Sequence, residues 1–447
     1  MLRRQAQRWI FRRPPTRWLR VAAVVVAMLA VVVTPYFVVL ASLFHSSPAS
    51  GPLTSRQASR RPPSRPTCPS AGISDSHPLG SVAWIAAGRL TVLDVRSCRQ
   101  VVLVPSDAQP PVRFSPDGRW LAYGDGRVVS IAGGAVQQPF QLAVSAWAWS
   151  PTEDILAGVA PSGGVLIAGP GTQARTLIPG GSGVRHLVFA PDGHRLAVDR
   201  AGTGIQVVDL RTGKTLTVFR QPDPARAPEL AGWSQDGQWV LYWRGPVGGE
   251  AGALDAAPAG GGNWVNLFDP VLPYPDFISA CGHSVALTAG AGQAVSVGKQ
   301  VLLTDPPLWR FHNLTDDFTR SWIWPACSPD GRWLAAVAAA NEGETSRSSA
   351  PRALWLLASD GSSRRRIVAG SLEAPELPRW SPDGRVLLVV LRSGAQWSSP
   401  GSLILVQVDP GSGRMVRKVG PIADIGPAPG PGGHQGWATV SDWYRPS

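Results

Sequence analysis

The stretch FSPDGRWLAY, residues 114–123, decides the fold. Its Ser accepts from the turn backbone, its Pro presets φ near about −65°, its Asp tolerates the bridge region, and Gly follows where φ is expected to be positive. That is a type I turn with a left-handed residue after it, the usual three-residue hairpin loop. It joins a strand ending in an aromatic residue to a strand opening on apolar residues. The unit returns as WSPTEDILAGV (149–159), FAPDGHRLAV (189–198), WSQDGQWVLYW (233–243), CSPDGRWLAAV (327–337) and WSPDGRVLLVV (380–390). The first four copies are spaced by 35, 40 and 44 residues, and the step from Trp233 to Cys327 is 94. A worn copy fills that double step: ISACGHSVALTA (278–289), with Cys281 in the aromatic position and VLLTDPPLWRFHNLT after it.

Each hairpin is followed by a third strand, such as GIQVVDLRTG (204–213) or SLILVQVDPGSG (402–413), and a fourth, such as KTLTVFR (214–220) or RMVRKVG (414–420). A four-stranded antiparallel sheet cannot cover both of its own faces. Radial stacking of such sheets does so and leaves only short edges, which is the propeller solution. The expected fold class is therefore all-β, a β-propeller of four-stranded antiparallel blades. Residues 81–104 read as strands two to four of a unit without its first strand, and GWATVSDWY (436–444) supplies that strand and closes the ring. Seven visible units and this composite make eight blades; seven stays open if one unit is miscounted. Phe114, Trp149, Phe189, Trp233 and Trp380 are expected to pack between blades rather than to form a ligand platform.

The formal charge is +12, which points to nucleic acid until it is mapped. Eleven of the 42 basic residues precede residue 67, where no acidic residue occurs, leaving 31 basic against 30 acidic residues beyond. The large domain is nearly neutral, so nucleic acid is excluded as a general partner. Residues 21–44, VAAVVVAMLAVVVTPYFVVLASLF, are 24 residues without a charge. As a helix they span about 36 Å, enough to cross a hydrocarbon core of about 30 Å with some tilt. Seven arginines lie in residues 1–20, so the positive-inside rule places the N-terminus in the cytoplasm. A cleaved signal peptide is the competing reading; its apolar core usually runs only about 7–15 residues, although SSPASG (46–51) offers small residues for cutting. The expected organisation is a basic cytoplasmic segment (1–20), a transmembrane signal-anchor (21–44), a Ser/Pro/Arg-rich disordered tether (45–79) and a propeller (80–447). The expected location is the cell membrane, single-pass, with the propeller extracytoplasmic.

The S-P-D-G turn, the aromatic before it and the VVDL-like third strands resemble the TolB-type, WD-repeat-like bacterial propeller repeat over roughly residues 80–447. The resemblance implies fold more than function. Related repeats occur in periplasmic TolB, in prolyl-oligopeptidase-like peptidases and in other envelope proteins. This chain is expected to lack both the N-terminal α/β domain of TolB and the hydrolase domain of the peptidases. The resemblance also implies that loops joining strands two and three open on the face opposite the S-P-D-G turns. There, GDGR (124–127) is minimal, whereas RGPVGGEAG (244–252), AAANEGETSRSSAP (338–351) and RSGAQWSSPG (392–401) are long. Long polar loops on a rigid scaffold are where binding residues gather. Glu342, Glu344, Arg347, Arg392, Gln396 and Trp397 are the ligand-binding candidates; loops without a partner are the alternative.

No G-x-S-x-G elbow, H-E-x-x-H or P-loop occurs, so no catalytic residue, metal ligand or cofactor site is expected. His194 and His283 fall in or beside repeat turns and read as surface residues. GAGQA (290–294) has no βαβ unit around it, and NLT (313–315) matches a strand end. Four cysteines fit an oxidising compartment. Cys281 and Cys327 hold equivalent positions in consecutive repeats, so they form either an inter-blade disulfide or two buried thiols. Cys68 and Cys98 would in the same way pin the tether to the composite blade. The function these features support is non-catalytic: binding or scaffolding a protein, peptide or envelope glycan. The alternative is an enzyme, a hydrolase or lyase using the channel, or an accessory subunit of a peptidase.

Overall fold

Runs such as VLLVVLRS (386–393) are too short to span a core as helices and are bounded by glycine turns, so they pair with their sequence neighbours as strands. The computed structural model describes residues 80–447 apart from 96, 98, 224–227, 245–252, 269–273, 291–297, 318, 341–351, 370–372, 382, 394–399, 410, 427–440 and 445–447. The candidate membrane helix, the tether and Cys68 and Cys98 lie outside the described residues. Among the described residues, no helix is long and apolar enough to cross a membrane.

Eight antiparallel sheets form the blades. The first is composite: Ser441–Tyr444 pairs with Ser81–Ala86, followed by Arg89–Asp94 and Gln100–Val104. Strands from the two ends of the domain thus close the ring, as expected. The third blade runs from Ala146–Trp149 to Arg175–Ile178, the fourth from Val184–Phe189 to Thr215–Arg220, and the fifth from Glu229–Trp233 to Val265–Phe268. The sixth, from Tyr274–Cys281 to Arg310–Asn313, is the worn copy. The seventh starts with Arg320–Cys327 and the eighth with Glu373–Trp380. First strands of neighbouring blades approach one another, which places them around the channel.

The second blade departs from the expected four strands. It has three: Val112–Phe114, Trp120–Tyr123 and Arg127–Ser130. Gly133 and Gly134, both at positive φ, turn the chain away after the third, and a single bridge between Val128 and Gln137 stands where a fourth strand would be.

The repeated turn is built around its serine. Ser115 Oγ donates to Asp117 Oδ1 at 2.6 Å and accepts from the Trp120 N–H at 3.1 Å. Ser234, Ser328 and Ser381 donate to Asp236, Asp330 and Asp383 at the same 2.6 Å. Gly118 has φ +70°, as the sequence requires. The Ser115 N–H reaches the Trp120 carbonyl at 2.9 Å, so the connection holds four residues rather than the expected three.

Both faces of each second strand are buried, in different interfaces. Leu196 and Val198 join Val159 and Ile167 of the third blade, whereas Ala197 joins Val240 and Tyr242 of the fifth. Val386, Leu388 and Val390 pack on Val82 and Trp84 of the composite blade; Leu387, Val389 and Leu391 pack on Val337 of the seventh. That explains an unbroken apolar run where a one-sided sheet would alternate. Each such side chain contributes on the order of 1.5–3 kcal/mol.

The tryptophans before the turns add a directional link. The indole N–H of Trp149 donates to Arg113 O at 3.2 Å, that of Trp233 to Val188 O at 3.0 Å, and that of Trp380 to Ala326 O at 2.8 Å. In each case the acceptor is the residue just before the equivalent position of the preceding blade. These aromatics are inter-blade packing and not a platform. Cys281 and Cys327 occupy the same position and carry the same link covalently, as a disulfide with a Cα–Cα distance of 5.1 Å.

Candidate functional site

First strands run towards the repeated turns and second strands run away from them. The start of a first strand, the end of a second and the start of a third therefore meet at the opposite face. The buried charges concentrate there. Among the described residues, the charged side chains buried from solvent are Asp199, Asp255, Lys299, Arg352 and Arg392. Asp199 and Arg392 are penultimate in second strands, Asp255 is third in a third strand, and Lys299 and Arg352 immediately precede third strands. Burying an ion costs several kcal/mol unless neighbours compensate it, so each of these side chains must find its partners within the fold.

Two of the five are carboxylates, and each holds an arginine. In the fourth blade, the inner strand VRHLVF (184–189) bulges at Arg185, and the bulge turns both Arg185 and His186 outward. Asp199, wholly buried on the adjacent strand, accepts from the His186 N–H at 2.8 Å and meets His186 Nδ1 at 2.6 Å. Arg185 Nη2 lies 3.5 Å from Asp199 and donates to Pro228 O at 2.7 Å. The hydrogen bond to Asp199 raises the His186 pKa; partial burial opposes this, and the charges of Asp199 and Glu229 reinforce it. Nδ1 is therefore committed to Asp199, and Nε2 is the nitrogen left to meet a ligand. In the fifth blade, Asp255 is wholly buried; its Oδ2 takes Arg244 Nε at 2.6 Å and its Oδ1 takes Asn266 Nδ2 at 2.7 Å. The Arg244 guanidinium lies 5.1 Å above the Trp264 ring. Neighbouring blades thus each present an arginine held by a buried carboxylate: charge fixed in place at little entropic cost, suited to holding an anionic or hydrogen-bonding ligand.

Of the residues expected from sequence, Arg392 is described. It was placed at the start of a long loop; it lies instead within the strand Val386–Ser393, opposite Gly401, with its side chain buried. Glu342, Glu344, Arg347, Gln396 and Trp397 lie outside the described residues. His194 and His283 are exposed turn residues, as read. His186 and Asp199 were not singled out: they are 13 residues apart with no motif between them, and only strand pairing joins them. No cluster of three or more metal-ligating side chains occurs among the described residues.

A family model described as the WD40 domain of anaphase-promoting complex subunit 4 matches residues 147–236. The search of curated proteins found no match. Among solved structures, a prolyl endopeptidase aligns at 13% identity and TM-score 0.50, over 76% of this chain and 50% of its own. This chain thus spans half the length of that enzyme. Dihydro-heme d1 dehydrogenase NirN aligns at 16% identity and TM-score 0.50, over 78% of this chain and 74% of its own. TolB from Agrobacterium tumefaciens is 19% identical over 55% of this chain and 84% of its own, at TM-score 0.34. The chain is an eight-bladed, WD-repeat-like, TolB-like propeller. At these identities the likeness concerns the fold alone.

Proposed function

We propose that this protein is a membrane-anchored, extracytoplasmic propeller that binds or scaffolds a protein, peptide or envelope glycan without catalysing a reaction, and that it does so with the face opposite the repeated turns. The observation that carries the reading is the confinement of the buried charges to that face, with Arg185, His186 and Arg244 held at its surface by buried carboxylates. The uncharged segment 21–44, behind seven arginines, supports the anchor and its orientation. The test is crosslinking of the full chain in native membranes, comparing wild type with Arg185→Glu and Arg244→Glu. Loss of a specific adduct in both variants supports the reading; unchanged adducts overturn it. A reporter fused after residue 447 that is active only in the cytoplasm would overturn the orientation.

A second reading rests on the His186–Asp199 pair. A histidine whose Nδ1 is fixed by a buried carboxylate is the usual arrangement of a general base. Under it, His186→Gln abolishes turnover of a small substrate while leaving partner capture intact. Under the binding reading, no turnover exists to lose.

A further inference from the structure

The repeated turns were expected to mark the quieter face, yet a cavity of about 530 Å³ lies beside two of them. It sits between the turns of the second and third blades and the connection between the third and fourth strands of the third blade. Its cause is the missing strand. The second blade stops at Arg127–Ser130, so no fourth strand stands across from the outer half of the third blade. The Gln137 side chain crosses instead, accepting from the Gly171 N–H at 2.9 Å.

The lining divides into two parts. Trp120, Ile155 and Ile167 supply an apolar wall and floor, and Arg119, Asp154 and Arg175 supply the polar groups. Asp154 stands where most repeats place a basic or polar residue after the turn. Arg119 pairs with Asp117 and reaches Asp154 at 3.5 Å. Burial raises the pKa of Asp154, and the neighbouring Asp117 raises it further. Asp117 itself is held down: burial works against it, but bonds from Ser115 and from the Arg119 backbone and side chain prevail. Asp154 Oδ1 is buried and has no hydrogen-bond partner in the protein. A buried polar atom of this kind calls for a partner. Beside it, Arg175 adds a second guanidinium.

We infer that this cavity is a binding site for a small amphipathic anion, a flat apolar body carrying a carboxylate or sulfonate. The body lies against Trp120, Ile155 and Ile167, the anionic head takes donors from Arg119 and Arg175, and an N–H or O–H on the body donates to the unpartnered Asp154 Oδ1. The volume suits one small organic molecule. The site is independent of the partner-binding face, which is at the other end of the blades.

The probe is 1-anilinonaphthalene-8-sulfonate, titrated into the folded protein and followed by its fluorescence. One saturable site is expected, weakened at least tenfold by Arg175→Glu and several-fold by Ile167→Asn. Arg211→Glu, an exposed substitution in the fourth blade, is expected to leave binding unchanged. Arg175→Glu alters an exposed residue, and its melting temperature checks that it has folded. Absence of saturable binding, or equal weakening by Arg175→Glu and Arg211→Glu, overturns the assignment.

Discussion

The disulfide between the sixth and seventh blades carries a load that can be worked out. It joins residues separated by 46 positions. In the chain-entropy treatment, a loop of that length removes on the order of 4 kcal/mol of unfolded-state freedom. At about 2.1 cal/mol/K per residue, a domain spanning 80–447 unfolds with an entropy near 0.8 kcal/mol/K, so the bond raises Tm by ~5 °C. The perturbation is Cys281→Ser together with Cys327→Ser, which leaves any bond elsewhere untouched. Thermal unfolding followed by far-UV circular dichroism should show the double variant lower by that amount. A strong reductant should then lower the wild type by at least as much. Equal melting temperatures, with two alkylatable thiols at 281 and 327 in the oxidised wild type, would show that no such bond stabilises the domain.

Three further expectations concern closure, protonation and turn geometry. Asp442 Oδ2 accepts from the Phe114 N–H at 2.8 Å, and its carboxylate faces Arg379, whose pKa is depressed to about 10 by burial and by Arg113. Asp442→Ala removes the acceptor of the Phe114 N–H and the negative charge facing Arg379, and should destabilise by roughly 1–3 kcal/mol, read as a lower urea midpoint and faster proteolytic loss of the C-terminal strand. The raised pKa of His186 means its charged form stabilises the fold fully below about pH 6.5, and that contribution is lost as pH rises through the folded value. The stability gap between wild type and His186→Gln should therefore widen on acidification, and Asp199→Asn should lower the His186 titration midpoint seen by NMR. Gly204 and Gly361 both have positive φ, but a Cβ on Gly204 would meet Phe219 O at 2.1 Å while one on Gly361 meets nothing within 4 Å. Gly204→Ala should cost at least ~2 kcal/mol more than Gly361→Ala, checked by paired urea denaturation.

Local chemistry made the fold legible. Ser, Asp and Gly of the turn act on each other within five residues, so each copy announces its own hairpin, and the copies give the blade number. The two-sided apolar strands and the closing strand follow from the same repeat. The three-stranded second blade was not legible, because Gly133 and Gly134 end a pattern without saying what replaces it. Nor were the bulges: Trp324 and Leu377 adopt φ +53° and +49° on inner strands although neither is a residue that favours that region. Both lie where the inner strand slips register against its neighbour, between Ile323 and Ala326 and between Glu376 and Arg379, which no local window contains. The same limit hid the His186–Asp199 pair and the side cavity. Both arise from residues brought together by strand pairing or blade stacking.

The proposed binding face is the one opposite the repeated turns. The most direct measurement places a photo-crosslinking residue at Arg185 or, in a second protein, at Arg385 in the eighth-blade turn, and illuminates native membranes carrying each full-length chain. A specific adduct is expected from position 185 and none from position 385. An adduct from 385 alone would contradict that placement.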